Sequence, residues 1–168
     1  MSHTIRLRGP WQCQPLLRAA VAADDGSVSW SDVDLPPAGA IELPGDWSVL
    51  LGADFRGLAR LTRGFGLPTG LSPESRVWLA IAEVVGIASV ALNDQALGCV
   101  TDNKNSTNRS ERLANLPQPF ASLMQSAPQP CPARWDVTSL LLPRNELAID
   151  LAALTVGGVG LVSLEIEE

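Results

Sequence analysis

The run Glu146-Leu147-Ala148-Ile149-Asp150-Leu151-Ala152 decides the fold class. Leu147, Ile149 and Leu151 alternate with smaller or charged residues, and a period of two places them on one face of a strand. The same grammar returns in Gly160-Leu161-Val162-Ser163-Leu164-Glu165-Ile166-Glu167, where Val162, Leu164 and Ile166 face one way and Ser163, Glu165 and Glu167 the other. Between Arg76 and Glu83, Val77, Leu79 and Ile81 alternate with Trp78, Ala80 and Ala82, a strand that can be covered on both faces.

Working outward, Ser89-Val90-Ala91-Leu92-Asn93-Asp94-Gln95-Ala96-Leu97-Gly98 places Asn93-Asp94 between apolar residues, where the pair can adopt the positive φ angles of a two-residue hairpin turn. Pro36-Pro37 and Pro44-Gly45 mark chain reversals. Thr101 to Arg112 holds no apolar residue and reads as an exposed loop. Ser110-Glu111-Arg112-Leu113 and Phe120 to Met124 could each start a short helix that a nearby Pro ends. Gly157-Gly158-Val159-Gly160 leads into a strand and reads as a turn, since a phosphate site would need a helix N-terminus. The N-terminal third carries the weakest pattern. Short strands separated by turn residues, with no repeat of fixed period, predict one all-β sandwich domain over residues 1–168 with a long polar loop around 99–134.

Composition narrows the function classes. A chain of 168 residues can bury roughly 70% of its unfolded surface and needs no staple. With 46% hydrophobic and 18% charged residues it reads as soluble and globular, and no uninterrupted apolar run is long enough for a membrane helix. The net charge of −6 opposes binding to a phosphate backbone, so nucleic acid is not an expected partner. Met1 to Arg8 lacks the apolar core of a secretory signal, which makes the cytoplasm the default location. Cys13, Cys99 and Cys131 are odd in number and unpatterned in spacing, as expected of reduced structural thiols.

Three segments, in this order, resemble the sugar-binding domain of family 2 glycoside hydrolases. Leu43-Pro44-Gly45-Asp46-Trp47 followed by Phe55 to Pro68 is similar to the family's Pro-x-x-Trp turn and Gly-x-x-x-Tyr-x-Arg-x-Phe strand, with Leu61 in place of the Tyr. Arg76 through Gly98 is similar to a strand, a connector and a Val-x-Val-Asn-Gly hairpin, with Asp94 in place of the Gly. Trp135-Asp136-Val137-Thr138 followed by Asn145-Glu146-Leu147-Ala148-Ile149 resembles the family's aromatic-Asp-Val-Thr, then Gly-x-Asn-x-Leu-x-Val. The resemblance implies a jelly-roll, galactose-binding-domain-like sandwich whose catalytic partner is a separate barrel domain. Residue chemistry explains the matches without a ligand: Asp136, Thr138 and Asn145 are turn-forming hydrogen-bonding side chains. The connection from the hairpin to Trp135 departs from the family, being long and polar, with Ala133 for an aromatic.

No catalytic residues are expected. Glycoside hydrolysis needs two carboxyl groups set across a bond, and Asp24-Asp25, Asp32 with Asp34, and Glu165 with Glu167 and Glu168 read as solvated by alternation or turn position. His3 is the only histidine and lies at the terminus, which leaves no base for a triad. Asp102, Asn103 and Asn105 could supply oxygens to loop calcium, but without a matching ligand count no metal or cofactor is expected.

Sugar sites combine an aromatic platform with side chains that bind hydroxyls. Of five Trp residues most are needed for packing, and the expectation is one exposed platform, Trp11 first and Trp30 second. The resemblance adds Asn93, Asp94, Asp102, Asn103, Asn105 and Arg134 as ligand-binding residues near one end of the sandwich. The leading expectation is a non-catalytic carbohydrate-binding or accessory module. The alternative is a structural or interaction domain that has lost sugar binding and meets a protein partner or a second copy.

Overall fold

The computed structural model describes residues 2–21, 28–84, 86–98, 131–153 and 158–168. Within them the strands form two antiparallel sheets. One sheet has six strands: β1 (Ser2–Arg6), β5 (Gly45–Asp46), β7 (Arg76–Val84), β10 (Cys131–Asp136), β12 (Gly158–Val159) and β13 (Val162–Glu167). The other has seven: β2 (Trp11–Val21), β3 (Val28–Ser31), β4 (Gly39–Ile41), β6 (Gly57–Gly66), β8 (Ile87–Leu92), β9 (Gln95–Gly98) and β11 (Arg144–Ala153). One helical turn, α1 (Ser48–Leu51), and a 3-10 turn at Thr138–Leu140 complete the described elements.

The chain passes between the layers from β6 to β7 to β8 and from β10 to β11 to β12, whereas β2 to β4, β8 to β9 and β12 to β13 each stay within one sheet. This is a jelly-roll sandwich, as expected. In the first sheet β7 lies between β13 and β10; in the second the central order is β2-β6-β11-β8. The alternation read in the sequence is the register of the core. Leu147, Ile149 and Leu151 of β11, Val77, Leu79 and Ile81 of β7, and Val162, Leu164 and Ile166 of β13 are all buried between the sheets. Truncating any of these Leu or Ile side chains to Ala should cost about 2–5 kcal/mol.

Asn93 and Asp94 take φ angles of 49° and 64° at the β8–β9 turn, as the hairpin reading required. At the far end of β8, Gly86 has φ +75°, and a Cβ there would lie 2.6 Å from the Ala152 carbonyl oxygen, so the approach of β8 to β11 needs glycine.

Leu58 of β6 alternates with core residues Ala59 and Leu61, so it points away from the core. It pairs across the sheet with Ala152, and the two form a second apolar cluster on which Leu16, Leu17 and Trp30 pack. The outer face of the seven-stranded sheet thus carries its own small apolar cap. The polar segment 101–112, the helix starts after Ser110 and Phe120, Cys99, Asp24-Asp25 and Gly157 lie outside the described residues.

Candidate functional site

Among the described residues, Trp11, Trp30, Asn93 with Asp94, and Arg134 lie at separate places in the sandwich. Trp11, the first choice for an exposed platform, is 0% exposed and belongs to the main core. This corrects the expectation. Trp11 opens β2, whose Trp11, Cys13 and Pro15 are buried in alternation before a register shift between Pro15 and Leu17 breaks the pattern. Its indole N–H donates to the Leu7 carbonyl over 2.8 Å, which satisfies the one polar atom such burial would otherwise strand.

Asn93 is also structural. Its Nδ2 donates to the Leu140 carbonyl at 2.8 Å and to Asn145 Oδ1 at 2.9 Å, while its Oδ1 accepts from the Glu146 N–H at 2.9 Å. Both amide N–H groups are therefore committed within the protein. Asn145 is buried, and its side chain also accepts from the Leu142 N–H and donates to the Leu142 carbonyl, each at 2.8 Å. Asp136 and Thr138 perform the turn roles expected of them: Asp136 accepts from the Thr138 N–H and hydroxyl, and the Thr138 hydroxyl oxygen accepts from the Val77 N–H. Asp94 is exposed beside Asn93 at the hairpin tip.

Arg134 lies on the outer face of the six-stranded sheet. It donates to Glu165 at 2.9 Å and Glu167 at 2.5 Å, and its guanidinium sits 4.1 Å from the centre of the Trp78 ring. The Trp78 indole N–H donates to Glu167 at 3.0 Å. The aromatic surface that this face could offer a sugar is covered by a cation the domain itself supplies. The Arg134 and Trp78 hydrogen bonds hold the Glu167 carboxyl below its usual range, and Glu167, followed by Glu165, strengthens the hold of Arg134 on its proton.

Trp30 is the nominated aromatic that keeps a partly exposed position outside the main core. It lies opposite Ala19 on β3, against Leu58 and Ala152. The Asn93 tip adjoins the Leu147 end of β11, five residues from Ala152, or roughly 17 Å along an extended strand. Asp102, Asn103 and Asn105 fall outside the described residues.

Sequence reasoning missed a polar row on the Trp30 face. Asp150 of β11 accepts from Arg60 Nε at 2.7 Å and Nη2 at 3.0 Å, and from the Ser89 hydroxyl at 2.8 Å. These residues are 90 and 61 positions from Asp150. The outward phase of Asp150 within its alternating strand was the only available signal. Burial pulls the other way, but the Asp150 hydrogen bond dominates and raises the Arg60 pKa, aided by the charges of Asp150, Asp94 and Glu146.

Among the described residues, no group of three His, Cys, Asp or Glu side chains is placed to hold a metal, and no helix is long and apolar enough to cross a membrane.

The architecture matches solved enzymes. The chain shares its fold with one part of the β-glucuronidases. The FMN-binding β-glucuronidase of Faecalibacterium prausnitzii matches with a TM-score of 0.60 and 17% identity over 98% of this chain, but only 22% of that one. The Ruminococcus gnavus β-glucuronidase gives 0.61 and 11% over 98% and 28%, and the Bifidobacterium dentium enzyme 0.55 and 20% over 90% and 20%. The chain thus spans between a fifth and a third of these relatives' length, and at such identities the likeness establishes the fold alone. No protein-family model and no curated protein matches the sequence.

Proposed function

We propose that this chain is a non-catalytic accessory module of a carbohydrate-acting system, with sugar binding as its own activity. The observation that carries the reading is the asymmetry of the structural match: nearly all of this chain aligns with no more than 29% of enzymes that act on glycosides. What aligns is a sandwich, and the carboxyl pair of a glycosidase would come from elsewhere. A thermal-shift screen against neutral and acidic mono- and oligosaccharides tests it, because a ligand at a hundred times its dissociation constant adds about 2.7 kcal/mol. A saturable sugar-dependent rise in melting temperature supports the reading, and no rise with any sugar at high millimolar concentration removes it.

A second reading has an observation of its own. Trp11, Asn93 and Arg134 are all committed to contacts within the domain, as expected of a sandwich retained for assembly after its sugar contacts were lost. Sedimentation analysis showing a stable dimer or a stoichiometric partner complex, together with a negative sugar screen, would favour this reading.

A further inference from the structure

Among the described residues, six strands lie at the margins of the two sheets: β3, β4 and β9 in one, β1, β5 and β10 in the other. A marginal strand presents N–H and C=O groups that can pair with another chain, and folds blunt it with short length, Pro or a bulge. Five of the six are blunted in this way. β3, β4, β5 and β9 have four, three, two and four residues, and β9 also shifts register against β8. β10 contains Pro132 and shifts register between Cys131 and Ala133. β1 has none of these devices. Its residues Ser2-His3-Thr4-Ile5-Arg6 pair in unbroken succession with β13, and all but Ile5 are exposed.

One hydrogen bond fixes which backbone groups β1 turns outward. The Leu7 N–H donates to the Val162 carbonyl at 2.8 Å, so Leu7 directs its backbone groups toward β13. Along an antiparallel ladder this direction alternates, which turns Ile5 and His3 toward β13 as well and points the N–H and C=O groups of Ser2, Thr4 and Arg6 away from the sheet. An antiparallel copy of the same strand centred on Thr4 meets these groups in phase. Thr4 then opposes Thr4 and Ser2 opposes Arg6, each pair exchanging two hydrogen bonds.

We infer that β1 is a self-association edge, pairing with β1 of a second copy of this chain about a two-fold axis at Thr4. The inference rests on the assembly reading above and adds to it the surface and the partner. The side chains suit this register. Thr4 pairs with Glu165, which alternates with buried Leu164 and Ile166, so Ser2, Thr4 and Arg6 project from the outer face of the sheet. Ile5 lies on the core side, half-buried, and His3 of the second copy covers what is left of it. Arg6 of the second copy stands beside Ser2, which pairs with Glu167. Its guanidinium reaches over the small Ser2 side chain toward the Glu167 carboxylate, and no like charges stand opposite each other along the ladder.

Sedimentation equilibrium of the whole chain from about 10 µM to about 1 mM tests the inference, a range suited to so small a contact. The wild type should follow a monomer–dimer equilibrium. Thr4→Pro removes an outward N–H and spares the bonds to β13, so it should keep the monomer folded and weaken dimerisation at least about tenfold. Arg6→Glu, which leaves the backbone unaltered, should weaken it at least about threefold, because the two-fold axis repeats the lost contact. Thr4→Cys reads the register: mild oxidation should link it into a covalent dimer above the wild-type background, whereas Ser2→Cys, opposite Arg6, should stay at that background. A wild type that is monomeric throughout would overturn the inference and leave the assembly reading only a different partner chain. A dimer that both Thr4→Pro and Arg6→Glu leave at wild-type affinity would overturn the β1 contact while the assembly reading stands. Equal cross-linking of Ser2→Cys and Thr4→Cys would overturn the pairing about Thr4.

Discussion

Asn93 Nδ2 lies 2.9 Å from Asn145 Oδ1, joining two turns 52 residues apart in the chain. One is the β8–β9 hairpin and the other the entry to β11, and the contact holds both against the carbonyl of Leu140. The two asparagines that make the sequence resemble a sugar-binding domain are thus a structural clasp, and the resemblance speaks first to fold.

Removing the clasp should cost stability and leave the backbone unstrained. Asn93→Gly keeps the positive φ angle but loses three hydrogen bonds, for an expected loss of about 2–3 kcal/mol. At this chain length the melting temperature should fall by about 4–12 °C. Differential scanning calorimetry checks it; an unchanged melting temperature would mean that water replaces the clasp without cost.

Trp11 should behave as a core residue. Trp11→Ala is expected to destabilise by about 3–5 kcal/mol, whereas Trp11→Phe should cost less, because it keeps most of the packing and loses mainly the bond to the Leu7 carbonyl. Urea denaturation measures both. Sugar affinity of the folded fraction should be unaltered in either variant.

The acid limb of the stability curve should depend on the outer face of the six-stranded sheet. Glu167 and Asp136 both have carboxyl pKa values below the usual range, Glu167 through its bonds to Arg134 and Trp78 and Asp136 through its bonds to Thr138. A depressed folded pKa means that the unfolded chain takes up the proton first. The stability these groups contribute is complete above the ordinary carboxylate range and is lost as pH falls through their lowered folded values. Glu167→Gln and Asp136→Asn should flatten stability against pH below about pH 4.5 and leave it parallel to wild type above about pH 6. A variant curve as steep as wild type in acid would contradict the assignment.

Cys13 should be chemically silent in the folded protein. Burial pushes its thiol up to about 11, so little thiolate exists at neutral pH. Alkylation at pH 8 followed by peptide mapping should find the Cys13 peptide unmodified in native protein and labelled in denaturant. Rapid native labelling would show that β2 opens locally.

The sequence displayed those parts of the fold in which a single period persists. Leu147, Ile149 and Leu151 could be placed without any partner strand, and Asn93-Asp94 declared its turn through residue chemistry. The phase of β2 was hidden because the shift after Pro15 turns Leu16 and Leu17 toward the outer cap, which left Trp11 looking like a solitary surface aromatic. Site chemistry was less legible because its bonds are long-range. Arg134 finds Glu165 and Glu167 from 31 and 33 positions away, and Arg60 finds Asp150 from 90, pairings that only the strand registers create.

The most direct test of the account is to titrate a neutral oligosaccharide into the nitrogen-15-labelled domain and follow the amide and indole resonances. The account predicts saturable shifts of a contiguous set of surface amides, with the buried Trp11 indole unmoved. No shifts at millimolar sugar, or a shift of the Trp11 indole as large as that of any surface amide, would contradict it.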